Sequence, residues 1–209
     1  GIRDGTVTGV QTCALPIKQQ TTMSSRFSQI KTPLEGLIVL QRKPLGDKRG
    51  YLERLFCQQE LQSILKEKQI KQINHTLTEK KGTVRGMHFQ YPPHAETKFV
   101  SCVRGEVFDL AIDLRTDSPT YLHYYAEILT EENYKTLVIS EGFAHGFQTL
   151  TPNCEMLYFH TNEYVPEAEG ALNAIDPVLN IKWPLDISEV SDRDRSHPMI
   201  AEGFEGVQL

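Results

Sequence analysis

The sequence predicts a mainly β domain, a sandwich or barrel of short strands with little helix. Three observations carry this. From Val107 to Arg115 the residues alternate, with Phe108, Leu110, Ile112 and Leu114 on one side and Asp109, Ala111 and Asp113 on the other. That is the period of a strand with two unlike faces. Turn-forming groups recur at about 8–12 residues, the spacing of such folds. Only Gln58 to Gln69 sets apolar residues, Leu61, Ile64 and Leu65, at helical spacing among Gln, Lys and Glu.

The elements follow in order. Leu37–Leu40 is a short apolar strand closed near Pro44, and Asp47-Lys48-Arg49-Gly50 is a polar turn. After the helix, the period from Gln69 becomes two. Lys80-Lys81-Gly82 reads as a hairpin between two strand-like runs. The second run holds Arg85-Gly86-Met87-His88, where Gly86 allows close backbone approach. Lys98 opens the next strand. Val107–Arg115 ends in turn chemistry through Pro119, and strands follow at Leu122–Leu129, Thr136–Ser140, Gly146–Thr149 and Glu155–Asn162. In the last of these Met156, Tyr158 and His160 share one face, while Leu157 and Phe159 take the other. Beyond Trp183-Pro184 the chain turns polar and strand-poor, as a tail wrapping back over the barrel would.

Composition narrows the function. With 39 % hydrophobic and 23 % charged residues among 209, the chain has enough apolar mass for a core. A net charge of −5 disfavours a nucleic-acid binder, which normally shows a basic stripe. No apolar run approaches the ~18 residues needed to span a bilayer. Residues 1–22 lack strand or helix period and the charged start of a signal peptide. They read as a non-native or disordered leader before a start at Met23, with a single domain over 23–209. Of the four cysteines Cys13 falls in the leader; the other three, Cys57, Cys102 and Cys154, are odd in number and widely spaced, with no CxxC pair, so a reducing cytoplasm is expected.

Polar side chains gather where a plain barrel needs none. If one face of each strand lines the bore, His88, Lys98, Asp109, His145 and Tyr158 converge there. Any one alone is an ordinary hydrogen-bonded residue. Five together are harder to dismiss, because buried ionisable groups are costly unless paired or used. Metal binding is one use, with His88, His94, Glu96 and His145 as ligand types. No His-x-His pair supports it, and His94 sits in the loop-like Tyr91-Pro92-Pro93-His94. Proton transfer beside a carbonyl is the other. It needs a base, a cation for the enolate oxygen and an acid on the opposite face. His, Lys and Tyr suit these jobs, and no redox or carbanion-stabilising cofactor is required. Neither a GxGxxG nor a Walker loop is present.

Several runs together resemble the dTDP-4-dehydrorhamnose 3,5-epimerase family: Gly82 to Gln90 (GTVRGMHFQ), Lys98-Phe99-Val100, Gly105 to Arg115 (GEVFDLAIDLR), Ser118-Pro119-Thr120, Glu141 to Phe147 (EGFAHGF), Asp176-Pro177 and Ile181 to Pro184 (IKWP). The likeness runs in family order from about Leu37 to Pro198. It implies a cupin-type, jelly-roll antiparallel β-barrel without metal or cofactor, in a homodimer that exchanges N-terminal strands. It implies His88 as general base, Asp194 as its carboxylate partner, and Tyr158 as general acid. Lys98 and His145 match residues at the sugar ketone and its neighbouring groups. Arg49, Glu53, Gln72, Asn74 and Arg85 resemble the diphosphate- and base-binding set. Tyr164 resembles the aromatic that stacks on thymine, while Glu169 and Arg193 match further binding positions. Asp109 joins the binding set as an ion-pair partner tuning Lys98.

Ile73 stands where the family normally has Asp, and Arg49 to Glu53 is one residue shorter than usual. The implied reaction is epimerisation at C3 and C5 of dTDP-4-dehydro-6-deoxy-D-glucose to dTDP-4-dehydro-L-rhamnose through an enolate. The alternatives are a 3-epimerase, a 3,4-ketoisomerase, a metal-dependent cupin oxygenase and a non-catalytic sugar-binding cupin.

Overall fold

The computed structural model describes residues 25–209, so the leader expected at 1–22 and its start at Met23 lie outside the described residues. The strands are β1 (Phe27–Lys31), β2 (Leu37–Arg42), β3 (Leu45–Asp47), β4 (Gly50–Leu52), β5 (Gln72–Thr78), β6 (Val84–Gln90) and β7 (Lys98–Arg104). They continue as β8 (Glu106–Asp113), β9 (Tyr124–Thr130), β10 (Lys135–Ile139), β11 (Phe143–Thr149), β12 (Cys154–His160) and β13 (Glu169–Ala171). Two single-turn helices, α1 (Gln62–Leu65) and α2 (Asp192–Arg195), complete the regular structure together with short 3₁₀ turns.

Two antiparallel sheets face each other. One has the order β1-β2-β10-β7-β12-β5, the other β13-β6-β11-β8-β9, and β3 and β4 form a separate hairpin. Between the sheets pack Val39, Val100, Leu137 and Met156 from the first and Val107, Ala111, Leu129 and Phe147 from the second. Each sheet is also covered on its outer face. The segment around α1 lays Leu61 and Leu65 against Leu40, Phe99 and Phe159. The tail lays Leu172, Leu179 and Val207 over Leu110, Ile112 and Leu114, with Trp183 beside them. The apolar face of β8 therefore points outward beneath the tail. Its Asp109 face points into the sandwich, where the sequence placed the bore.

Most expected strands are present, with ends shifted by a few residues. Three expectations need correction. The helix spans one turn rather than Gln58 to Gln69: its only anchors are Leu61, Ile64 and Leu65, no side chain caps its start, and Lys66 closes it at φ 55°. A lone turn of helix has no cooperative extension of its own and persists here by packing. Lys80-Lys81-Gly82 is a corner between sheets rather than a hairpin, because β5 pairs with β12 while β6 pairs with β11 and β13. Backbone and hydroxyl groups of Thr149 hold that corner, accepting from the Gly82 N–H at 2.8 Å and donating to the Lys80 carbonyl at 2.6 Å. Strands β1 and β13, which lack clear alternation, and the three-residue strands β3 and β4 either side of the expected Asp47–Gly50 turn, were not expected.

One close approach positions the site. Gly86 sits at φ +126°, and a Cβ there would lie 2.6 Å from the Gly146 Cα and 2.8 Å from the His145 carbonyl oxygen. The register between β6 and β11 shifts at this point. Gly50 shares a positive φ (+132°) but has nothing within 4 Å of its missing Cβ. Gly50→Ala should thus cost only the conformational penalty of about 1–3 kcal/mol. Gly86→Ala should cost that plus the backbone clash, a loss above ~4 kcal/mol of the kind reserved for such mechanisms. Urea unfolding of the two variants against the parent checks the difference.

Candidate active site

A cleft of about 300 Å³ opens between the two sheets. His88 on β6 and His145 on β11 form one wall and are paired across the strands, while Lys98, Tyr158 and His160, on β7 and β12, come from the facing sheet. Facing sheets stand about 10 Å apart, so groups on opposite walls can flank a sugar-sized ring. Alternation within each strand fixes the membership. Tyr158 and His160 point inward two residues apart, and their rings stack at 6.1 Å with an interplanar angle of 22°.

Three imidazole–carboxylate pairs surround the cleft. His88 Nε2 lies 2.9 Å from Asp194 Oδ1. The other carboxylate oxygen, Oδ2, accepts the Gly86 N–H at 3.2 Å. Asp194 is carried by α2, whose first residues are capped by the Ser191 hydroxyl accepting the Asp194 N–H at 3.0 Å. Burial disfavours its charge, but the His88 hydrogen bond and charge, the Gly86 amide and His197 outweigh this and bring its pKa down to about 2. Asp194 is therefore anionic at neutral pH and accepts from Nε2. His88 Nδ1, with no partner among the described residues, is left as the basic nitrogen.

In the second pair His145 Nε2 meets Asp109 Oδ1 at 2.8 Å. Asp109 is fully buried and its Oδ2 has no partner, so burial raises its pKa against the pull of His145. In the third, His160 Nδ1 donates to Glu96 Oε2 at 2.8 Å, and Lys98 Nζ lies 3.3 Å from Glu96 Oε1. Burial would raise the Glu96 pKa, yet His160 and Lys98 together hold it below its usual value. Burial pushes the Tyr158 hydroxyl strongly upward, reinforced by Asp109 and only partly offset by Thr76 and Arg85. Tyr158 thus carries its proton at neutral pH, as a donor must.

The cleft gathers His88, Lys98, Tyr158, His145, Arg85, Gln72, Asn74, Tyr164 and Glu169 from the expected set. Asp194 stands behind His88. Asp109 pairs with His145 rather than with Lys98 as expected, because β8 lies beside β11 while Lys98 belongs to the opposite sheet. Arg193 pairs with Glu169, which also accepts from the Tyr164 hydroxyl at 3.0 Å.

Arg49 and Glu53 lie away from the cleft within one chain. Arg49 projects from the β3–β4 hairpin beside Asp47, and Glu53 accepts from the buried Arg42 at 2.5 Å. His94 lies in the loop outside the cleft. Sequence reading missed Thr76 and Phe147; it set His160 on the Tyr158 face and Glu96 among the metal-ligand types, but did not pair the two with each other in the cleft. It also missed His197, whose Nε2 is 3.3 Å from Asp194 Oδ1 and whose ring stands edge-on to His88 at 5.5 Å. Among the described residues His88, Asp194 and His197 are the group whose ligand atoms lie close enough together to hold a metal ion.

Residues 31–202 match the family model for dTDP-4-dehydrorhamnose 3,5-epimerase. The enzyme of that name from Salmonella typhimurium is 39 % identical over 177 residues, covering 84 % of this chain and 96 % of its own. The solved dTDP-6-deoxy-D-glucose-3,5-epimerase from Legionella pneumophila, in complex with dTDP-4-keto-L-rhamnose, superimposes with a TM-score of 0.80 at 32 % identity, covering 88 % of this chain and 98 % of its own. A 3'-monoepimerase from Streptomyces bikiniensis in complex with dTDP-quinovose gives 0.74 at 28 % identity, covering 81 % and 86 %. The fold is thus the jelly roll of this family.

The depressed pKa of Asp194 has a stability consequence. Between its ordinary value of 3.8 and about 2, the unfolded chain binds a proton that the folded chain does not. The contribution is present above that window and is lost as pH falls through it. It amounts to about 2 kcal/mol. Denaturant titrations from pH 5 down to about pH 2 should show a shallower acid limb in Asp194→Asn than in the parent, by that amount.

Proposed function

We infer the reaction from a premise that the comparisons establish: the chain belongs to the dTDP-4-dehydrorhamnose 3,5-epimerase family. It is an isomerase that inverts C3 and C5 of dTDP-4-dehydro-6-deoxy-D-glucose, giving dTDP-4-dehydro-L-rhamnose. The observation that carries this reading is one cleft lined by His88 from one sheet and by Tyr158 and Lys98 from the other.

The geometry suits stepwise inversion. The substrate's C4 ketone acidifies the hydrogens on C3 and C5. His88 Nδ1 takes the C5 proton, and the electron pair of the broken C–H bond moves toward O4. Lys98 stabilises the enolate oxygen with its ammonium, held at the cleft wall by Glu96. Tyr158 then returns a proton to the opposite face of the carbon. The imidazolium of His88 and the phenolate of Tyr158 are reset through solvent before the same sequence acts at C3. Asp194 holds the His88 tautomer and stabilises the imidazolium while it exists. The chemistry draws on the ketone itself, without a redox cofactor.

The nucleotide lies toward Gln72, Asn74, Arg85 and Tyr164 in this reading. Arg85 donates to the diphosphate through its planar fork, and Tyr164 stacks on thymine. Glu169 and Arg193, joined to one another, close that end. Arg49 and Glu53 fit the reading through a homodimer. The β3–β4 hairpin exposes Leu45, Tyr51 and Leu52 together with Arg49, a surface suited to a second copy. The cysteines at 57, 102 and 154 are free thiols, which fits work in the cytoplasm.

In D₂O the product should carry two deuterons, at C3 and C5, by NMR. One deuteron at C3 alone would identify the restricted chemistry of the monoepimerase. His88→Ala and Tyr158→Phe should each lower kcat by about 10²–10⁴-fold with nucleotide binding retained; near-normal turnover in either removes its assigned role. Arg49→Ala and His88→Ala chains, inactive or weak apart, should regain activity when unfolded and refolded together. A mixed dimer then holds one site with its own His88 and the partner chain's intact arginine. Without regain, Arg49 does not serve the site across the dimer.

A further inference from the structure

We propose that His88, Asp194 and His197 form a binding site for a tetrahedral transition-metal ion of the Zn²⁺ class, and that its occupation switches the base off. The switching rests on His88 acting as the base; the binding itself does not.

The ligand atoms are already assembled. One donor atom from each residue lies within 4.8 Å of the others, with His88 Nε2 and His197 Nε2 at 2.9 and 3.3 Å from the same oxygen, Asp194 Oδ1. Two imidazoles and a carboxylate with one position open is a donor set that suits Zn²⁺, with bonds of about 2.0–2.2 Å. His197 Nε2 is buried and makes no hydrogen bond despite its nearness to Asp194, an unmet need that a metal would satisfy.

The supporting shell is rigid. The Gly86 N–H holds Asp194 Oδ2 at 3.2 Å. The Asn173 side-chain amide donates to the carbonyls of Arg195 at 3.0 Å and His197 at 3.3 Å, fixing the backbone that presents the second imidazole. Such outer contacts orient ligands and tune affinity.

A second cleft gives access. His88 and Asp194 also line this one, of about 490 Å³, bounded by Lys80, Arg85, Ser191 and Arg193. Two of its cations are already partnered, Lys80 by Glu189 and Arg193 by Glu169.

The consequence follows from the tautomer. With Asp194 as partner, the His88 proton resides on Nε2 and Nδ1 is free to accept. A metal on Nε2 displaces that proton, and the neutral ring carries it on Nδ1 instead. The ring neither gains nor loses charge, but its substrate-side nitrogen now holds a proton and cannot take another. The sugar cleft stays open. Inhibition should therefore lower kcat with KM little changed.

Calorimetric titration of Zn²⁺ into the full chain should show one tight equivalent, and Co²⁺ should give the visible absorption of a tetrahedral site. His197→Gln and Asp194→Asn should each weaken binding at least ~10-fold, the scale on which even supporting contacts count. In turnover assays Zn²⁺ should lower kcat, and EDTA should restore it. No stoichiometric uptake, or uptake that both variants leave unchanged, overturns the site. A rise in KM at constant kcat overturns the tautomer mechanism. Calorimetry and the Co²⁺ spectrum need no turnover, so the site is decided even if the deuterium experiment refutes the reaction.

Discussion

One hydrogen bond organises this molecule: the 2.9 Å contact between an imidazole on β6 and a carboxylate 106 residues later. An ionised carboxylate is not buried cheaply, and the chain meets that cost with specific donors. Reaching them requires the tail to cross the whole outer face of the β13-β6-β11-β8-β9 sheet. It is held there by the Ser188 N–H on the Gly82 carbonyl and by the Gln148 side chain, which bonds both the carbonyl and the N–H of Leu185. It is held also by apolar residues that cover Leu110 and Ile112. Gly86 and Gly146 interleave to bring β6 and β11 into close contact, and the Gly86 N–H donates to Asp194 from that point. A segment without strands is thus as much part of the site as the strands are.

The sandwich supplies the second constraint. Antiparallel strands alternate their side chains, so a residue on each sheet can face the same interior without either leaving regular structure. His88 and His145 approach from one sheet, Tyr158, His160 and Lys98 from the other. A reaction that removes a proton from one face of a carbon and returns it to the other needs opposed groups on fixed supports. Two facing sheets provide this more rigidly than loops would.

Much of this was legible in the sequence, and the failures have physical causes. Period-two alternation in β8 and β12 identified the inward set, since a strand has only two faces and chemistry-bearing residues marked one of them. Alternation does not say which strand pairs with which. Lys80-Lys81-Gly82 therefore read as a hairpin although Thr149, 67 residues beyond Gly82, turns it into a corner between sheets. Helical spacing over Leu61, Ile64 and Leu65 was real, but three anchors support one turn. His197 gave no signal, because it lies in an irregular segment where spacing carries no orientation. Arg49 came only from family resemblance, and within one chain it stands apart from the cleft, beside Asp47.

Composition alone does not explain why His88 rather than His145 is the proposed base, since both rings contact an aspartate at nearly equal distance. The surroundings of the two carboxylates decide it. Asp194 receives an amide hydrogen on its second oxygen and a second imidazole nearby, and its pKa falls to about 2. Asp109 is wholly buried with Oδ2 unpartnered, and its pKa rises. A depressed carboxylate is a lasting anion that steadies the imidazolium formed when a carbon acid gives up its proton. A carboxylate pushed upward by burial holds its charge less firmly, so it offers the neighbouring ring a hydrogen-bonding partner more than a counter-ion. His145 is therefore suited to contact the sugar's polar groups, and His88 to change charge. Pairs of the same two residue types, their imidazoles on adjacent strands of one sheet, are set to different tasks by what else reaches their carboxylate oxygens.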